Sequence, residues 1–189
     1  MEEDGLCLFR RIGYARKWSG SEGKERWDMC GIGALFGRGQ GEATSCGSSL
    51  RQAALAVLSR RGPDASDSSV RDVHVGDAVD GKPSISVTMI GAVLHLRGES
   101  MQAQPVCDDS GNMFCWNGEV FGGHPTVPVV ESDTKCVYSI LANAAKIARR
   151  DKLVLNVTEI LSKIQGPFSF LFWDNSASTL WWGRDAQGR

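Results

Sequence analysis

Cys30 directly follows Met29, and this placement separates it from the other cysteines, at 7, 46, 107, 115 and 136. A thiolate is a strong nucleophile, but a thiol needs a base to become one. No histidine stands at a diagnostic spacing from Cys30. If translation starts at Met29 and that methionine is removed, or if the chain is cut there, Cys30 becomes the first residue. Its own α-amine, with a reference pKa of roughly 7.7–8.0, can then take the thiol proton. Without that feature, any one of these cysteines reads as a small buried hydrophobe.

Asn117-Gly118 is the second candidate. It reads either as a hairpin turn or as an oxyanion hole made by a side-chain amide and a backbone N–H. Arg97 and a carboxylate at Asp133 or Glu119 carry the charges that hold the α-carboxylate and α-ammonium of a free amino acid. Their plain readings are a solvated charge and a helix N-cap.

The elements that must position these residues follow from hydrophobic period and breakers. Cys30–Gly37 reads as a short buried strand ending in a glycine-rich turn over 37–41. A first helix is expected over Ser48–Arg60, with Leu50, Ala53, Ala54, Val57 and Leu58 on one face. Arg61-Gly62-Pro63-Asp64 stops it. Ser66–Asp80 is polar and reads as a loop, or as a weak edge strand at Val70–Val75. Strands are expected at Ile85–Leu96 and Met113–Trp116, with Val120–Phe121 resuming the second, followed by a loop over Gly122–Val130.

Ser132 or Asp133 can cap a second helix reaching Arg149, with Val137, Ile140, Leu141, Ala144, Ile147 and Ala148 inward. Asn156 and Glu159 resemble a capping box for a short third helix, Val157–Ile164, which Gly166-Pro167 ends. Phe168–Trp173 and Thr179–Trp182 predict a hairpin. Helices and strands come in blocks, which predicts an α+β domain rather than a doubly wound parallel sheet.

The totals exclude several classes. A formal net charge of −1 gives no general electrostatic hold on nucleic acid or an anionic membrane surface, and neither is expected as a partner. No apolar run reaches the length of a membrane span. The cysteines form no C-x-x-C pair and only three histidines accompany them, so no metal site is expected. No secretory signal opens the chain, which predicts a cytoplasmic protein with reduced thiols. Residues 1–28 lack a sustained period and are expected to be a disordered N-terminal extension.

Eight short motifs occur in a fixed order. They are Met29-Cys30-Gly31-Ile32, Arg60-Arg61-Gly62-Pro63-Asp64, Leu94-His95-Leu96-Arg97, Gln104-Pro105, Trp116-Asn117-Gly118-Glu119-Val120, Ser132-Asp133-Thr134, Gln165-Gly166-Pro167-Phe168-Ser169-Phe170, and Gly183-Arg184-Asp185 with Gly188-Arg189. Each is weak alone. In this order they resemble the class II glutamine amidotransferases, of asparagine-synthetase lineage, over residues 29–189.

The resemblance implies a four-layer α/β/β/α sandwich of the N-terminal-nucleophile hydrolase type. It implies hydrolysis of glutamine to glutamate and ammonia. Cys30 would be the nucleophile, Asn117 and Gly118 the oxyanion donors, Arg97 the α-carboxylate ligand, and Asp133 with Glu119 the α-ammonium ligands. Arg61 and Asp64 would shape the turn beneath. The domain itself would need no cofactor. The ammonia would pass to a synthetase domain that makes asparagine with ATP and Mg, and on the family pattern that domain and the closing strands of this one are expected to lie beyond residues 29–189. The alternative is a catalytically silent binding or regulatory module of the same fold.

Overall fold

A computed structural model describes residues 6–9, 30–37, 45–73, 85–147 and 150–187. The first sheet is built from β1 (Leu6–Phe9), β2 (Gly31–Gly37), β3 (Ala65–Val73) and β4 (Ile85–Val93), in the order β1-β2-β4-β3. The second holds β5 (Val106–Cys107), β6 (Met113–Gly118), β9 (Phe168–Asp174) and β10 (Thr179–Arg184), in the order β10-β9-β6-β5. Every pairing in both is antiparallel. A two-stranded ribbon joins β7 (Gly122–Gly123) to β8 (Ile164–Gln165). The helices are α1 (Ser45–Leu58), α2 (Asp133–Ile147) and α3 (Arg150–Ser162).

The side-chain alternation of the strands sorts the core into three layers. Ile32 and Ala34 of β2, Val87 and Met89 of β4, Met113 and Cys115 of β6, and Leu171 and Trp173 of β9 fill the gap between the two sheets. The opposite face of the first sheet, through Leu35, Ile90 and Ala92, packs on Ala54 and Leu58 of α1. The opposite face of the second, through Phe114, Trp116, Phe168, Phe170 and Phe172, packs on Val137 and Leu141 of α2 and Val157 of α3. The rings of Trp116 and Phe168 stack there with centroids 5.0 Å apart. Such pairs add about 0.5–1.5 kcal/mol beyond the area they bury.

Several sequence expectations need correction. The extension over 1–28 is not wholly disordered, because Leu6–Phe9 pairs with Gly33–Phe36 as β1. The rest of residues 1–28, the turn over 38–41 and residues 148–149 lie outside the described residues. The polar stretch from Ser66 is not a loop but the edge strand expected only over Val70–Val75: β3 runs earlier, over Ala65–Val73, and pairs with β4 over nine residues. Its serines and aspartates sit on a sheet edge, where backbone pairing sets the conformation and propensity matters little. The strand from Ile85 stops at Val93, short of Leu96.

In α1 only Ala54 and Leu58 of the expected face are buried, and Leu50 and Val57 point outward. In α2 the buried stripe is Thr134, Val137, Tyr138, Leu141, Ala142 and Ala145, and Ile147 is exposed. Tyr138 and the alanines supply the stripe that larger aliphatics were expected to supply. Asn156 lies within α3, which begins at Arg150 rather than at Val157. Asn117-Gly118 makes no hairpin turn, since both residues belong to β6 and pair with Ser169 and Phe168. Val120–Phe121 lies outside the strands.

Candidate functional site

Cys30 stands one residue before β2. Ile32 and Ala34 face the gap between the sheets, so the two-residue period puts Cys30 on the same side. Its sulfur is gripped by the end of β4. The Leu94 N–H donates to Sγ at 3.3 Å, and the thiol donates to the Leu94 carbonyl at 3.6 Å. Burial pushes the Cys30 thiol above its ordinary value. The hydrogen bonds to Leu94 and to its own backbone oppose that rise, and Asp64 adds to it while Arg61 counters.

The turn after α1 holds this strand end in place. Asp64 N–H donates to the Val93 carbonyl at 3.1 Å, and the Asp64 carboxylate accepts from the His95 N–H at 2.7 Å. Gly62 is pressed against the β4 backbone: a Cβ there would lie 2.3 Å from the Ala92 carbonyl carbon. Arg61-Gly62-Pro63-Asp64 therefore fixes the position of Leu94, and Leu94 fixes the sulfur.

The strand β6 presents its donors in an ordered row. Its β9 edge is fully paired, but β5 covers its other edge only at Met113 and Phe114. Along a strand, alternate N–H groups point to the same edge. On this open edge the Trp116 N–H is taken by the Gln104 Oε1 at 2.7 Å. Beyond the strand end, the Val120 N–H is taken by the Asp133 Oδ2 at 3.0 Å. Between them lies the N–H of Gly118, turned away from β9 and without an acceptor among the described residues. Asn117, on the opposite parity, shares the inter-sheet face with Met113 and Cys115 and is buried.

Arg97 and Asp133 meet at the far wall. Arg97 Nη1 lies 3.2 Å from Asp133 Oδ1. The same Nη1 donates to the Val120 carbonyl at 2.8 Å, and Nη2 donates to the Val127 carbonyl at 2.9 Å. Arg97 is thus a brace as well as a cation. The Asp133–Arg97 contact is an ion pair outside hydrogen-bond geometry, which leaves Oδ1 a lone pair for a further donor. Burial raises the Asp133 carboxyl above the usual carboxylate range, against the Val120 hydrogen bond and the Arg97 charge. The cap of α2 is Ser132, whose carbonyl accepts from Cys136, while the Asp133 side chain serves Val120, beyond the end of β6, and Arg97 instead.

All six residues expected from the sequence, Cys30, Arg97, Asn117, Gly118, Glu119 and Asp133, line one cavity of about 80 Å³. His95, Gln104 and Thr134 line it too, and the sequence reading gave them no role. Each sits inside a quoted motif, yet a buried polar side chain is revealed only by its partners. Among the described residues no group of three or more His, Cys, Asp or Glu could hold a metal ion.

Sequence comparison bears on this geometry. The chain is 37% identical over 140 residues to asparagine synthetase domain-containing protein 1 of Bos taurus, covering 74% of this chain and 19% of that protein. It is 40% identical over 143 residues to the protein of the same name from Mus musculus, with coverage of 74% and 20%. Asparagine synthetase domain-containing protein CG17486 of Drosophila melanogaster is 30% identical over 140 residues, with coverage of 74% and 22%.

The chain is of asparagine-synthetase lineage. It spans about a fifth of the length of these curated relatives. No protein-family profile and no solved structure gives a significant match. Within this lineage the cavity joins a thiol, an uncapped backbone N–H and a cation–carboxylate pair, which together suit a small zwitterion carrying a reactive carbonyl. No helix among the described residues is long and apolar enough to cross a membrane.

Proposed function

We propose that this chain is a glutamine-hydrolysing amidotransferase domain of the N-terminal-nucleophile type. The observation that carries the reading is the open Gly118 N–H, which lines the same cavity as the Cys30 sulfur. An oxyanion donor must be rigid, aimed and unoccupied before substrate arrives. The neighbouring N–H groups of Trp116 and Val120 are capped by side chains, and among the described residues this one is not. The layering of α1, two antiparallel sheets, and α2 with α3 supports the same reading.

In this mechanism glutamine lies with its α-carboxylate toward Arg97 and its α-ammonium toward Asp133 and Glu119. Cys30 Sγ attacks the side-chain carbonyl carbon, and its proton moves to the free α-amine of Cys30. The C–S bond forms, and the carbonyl oxygen takes the negative charge under the Asn117 amide and the Gly118 N–H. The C–N bond then breaks, with the amine proton leaving on ammonia. Water hydrolyses the thioester to glutamate and restores the thiol. The ammonia goes to a synthetase domain that uses ATP and Mg to make asparagine. A reduced, cytoplasmic setting suits the thiol.

A second reading is a silent module of the same fold. It is favoured by the raised, neutral thiol of the half-buried Cys30, and a Cys30 still joined to Met29 would have no free amine. One experiment separates the two: ammonia release from L-glutamine, measured alongside the intact mass of the purified chain. Hydrolysis by chains that begin at Cys30, lost in Cys30→Ala with the fold retained, supports the enzyme. Mature chains without hydrolysis leave the silent module.

A further inference from the structure

Gln104 joins the two halves of this cavity. It is only 3% exposed, and both ends of its amide are used. Its Oε1 accepts from the Trp116 N–H at 2.7 Å, and its Nε2 donates to the Thr134 hydroxyl at 3.2 Å. Trp116 is the residue before Asn117-Gly118, and Thr134 follows Asp133 in the first turn of α2. One planar amide thus spans the strand that carries the oxyanion donors and the helix end that carries the ammonium ligand.

The position is built to be exact. The β5 strand stops too early to pair with Trp116, and the side-chain carbonyl of Gln104 stands in for the missing strand. The residue cannot drift toward β4, because Gly91 sits against it: a Cβ on Gly91 would lie 2.5 Å from Gln104 Cβ. The amide serves both ends, its oxygen as the acceptor that the Trp116 N–H requires and its Nε2 as a donor to Thr134.

Resting on the glutaminase reading, we propose that Gln104 is a positioning residue that sets the distance between the oxyanion donors and the Asp133 end of the substrate. The link to Thr134 holds the amino-acid grip, and the link to Trp116 holds the oxyanion strand. Cutting one link should therefore move KM, and cutting both should also move kcat.

The test is steady-state glutamine hydrolysis by the full chain, its N-terminus read by intact mass, with Thr134→Val, Gln104→Met and Gln104→Glu. Thr134→Val loses a single hydrogen bond, so KM should rise about fivefold while kcat stays within about twofold. Gln104→Met also strips the acceptor from a buried N–H, and its kcat should fall about tenfold or more. Gln104→Glu keeps an acceptor for Trp116, so its kcat should lie nearer the parent than that of Gln104→Met. Cys30 alkylation by iodoacetamide, which uses neither link, should be unchanged in Thr134→Val. A parental KM in Thr134→Val would overturn the inference, and it does so even if Gln104→Met fails to fold. If the parent does not hydrolyse glutamine, the functional reading falls and takes the inference with it. An active parent with indifferent variants sinks the inference alone.

Discussion

Replacing Gly118 by alanine perturbs the oxyanion donor without removing any hydrogen-bonding group. The added Cβ would lie 2.4 Å from the Pro167 carbonyl oxygen, 2.6 Å from Phe168 Cβ and 2.7 Å from Phe168 Cα. Ordinary contact begins at 3.4 Å, so the backbone must separate by about 1 Å. Two of these neighbours are main-chain atoms and the third is the first carbon of a side chain, so no rotamer change relieves the clash. The Gly118 N–H moves with the strand that carries it. Misplacing a catalytic group by about 1 Å can cost roughly 10²-fold, and losing one oxyanion donor costs about 10²–10³.

Overpacking at one position costs about 1–3 kcal/mol, well inside a typical domain stability of about 5–15 kcal/mol. The variant should therefore stay folded. At this chain length its melting temperature should fall by about 2–12 °C. The assay is ammonia release from glutamine at saturating substrate, with a circular-dichroism melt on the same sample. The expected result is a folded protein with kcat reduced at least about a hundredfold. A folded Gly118→Ala variant with kcat within a factor of about three of the parent would refute the oxyanion assignment, since such a donor is worth far more.

Three further outcomes follow from the same geometry. Burial raises the Cys30 thiol above its ordinary value, so the thiolate is scarce at neutral pH; its alkylation rate by iodoacetamide should still be climbing at pH 9, and a plateau below pH 8 would contradict the burial argument. The Asp133 carboxyl is also raised by burial, so on acidification it neutralises above the usual carboxylate range and loosens its hold on the α-ammonium. The KM for glutamine should rise along that acid limb, and in Asp133→Asn KM should be high already at neutral pH with the limb removed. Leu141, fully buried against the second sheet, should cost about 2–5 kcal/mol when cut to alanine, read by denaturant unfolding, with Cys30 alkylation unaffected.

The sequence made the chemistry more legible than the elements around it. Cys30 stands out because it follows Met29, and Arg97, Asn117, Gly118, Glu119 and Asp133 because they fall in motifs whose order resembles a known family; all six line one cavity. Asn117-Gly118 was ambiguous because the same dipeptide suits a turn. The tertiary pairing with Ser169 and Phe168 decides for strand. The β3 strand was legible only as a weak edge strand over Val70–Val75, because its residues carry little apolar alternation and only the register with β4 extends them back to Ala65. The stripe on α2 was misplaced because Tyr138, Ala142 and Ala145 are weak signals one at a time, and the facing aromatic cluster selects them. Gln104 and His95 were passed over because their importance lies in partners far along the chain.

The remaining element is the base, and burial constrains it. Beyond its own backbone, the Cys30 sulfur bonds to the N–H and C=O of Leu94. His95, Glu119 and Asp133 line the same cavity without bonding to it. In a chain carrying Met29, the Cys30 nitrogen is an amide whose lone pair is delocalised, and it cannot take a proton. Once freed, that amine would sit beside the half-buried thiol of its own residue. Low polarity lowers an amine's pKa as it raises a thiol's, so transfer between them before attack becomes less favourable, not more. A resting thiolate–ammonium pair is then disfavoured. The proton must move as the C–S bond forms, when the charge passes to the carbonyl oxygen and the donors on β6 receive it. On this account a half-buried, neutral thiol is compatible with catalysis: at neutral pH it reacts slowly with simple electrophiles and depends on the oxyanion donors to be turned on by an amide already in place.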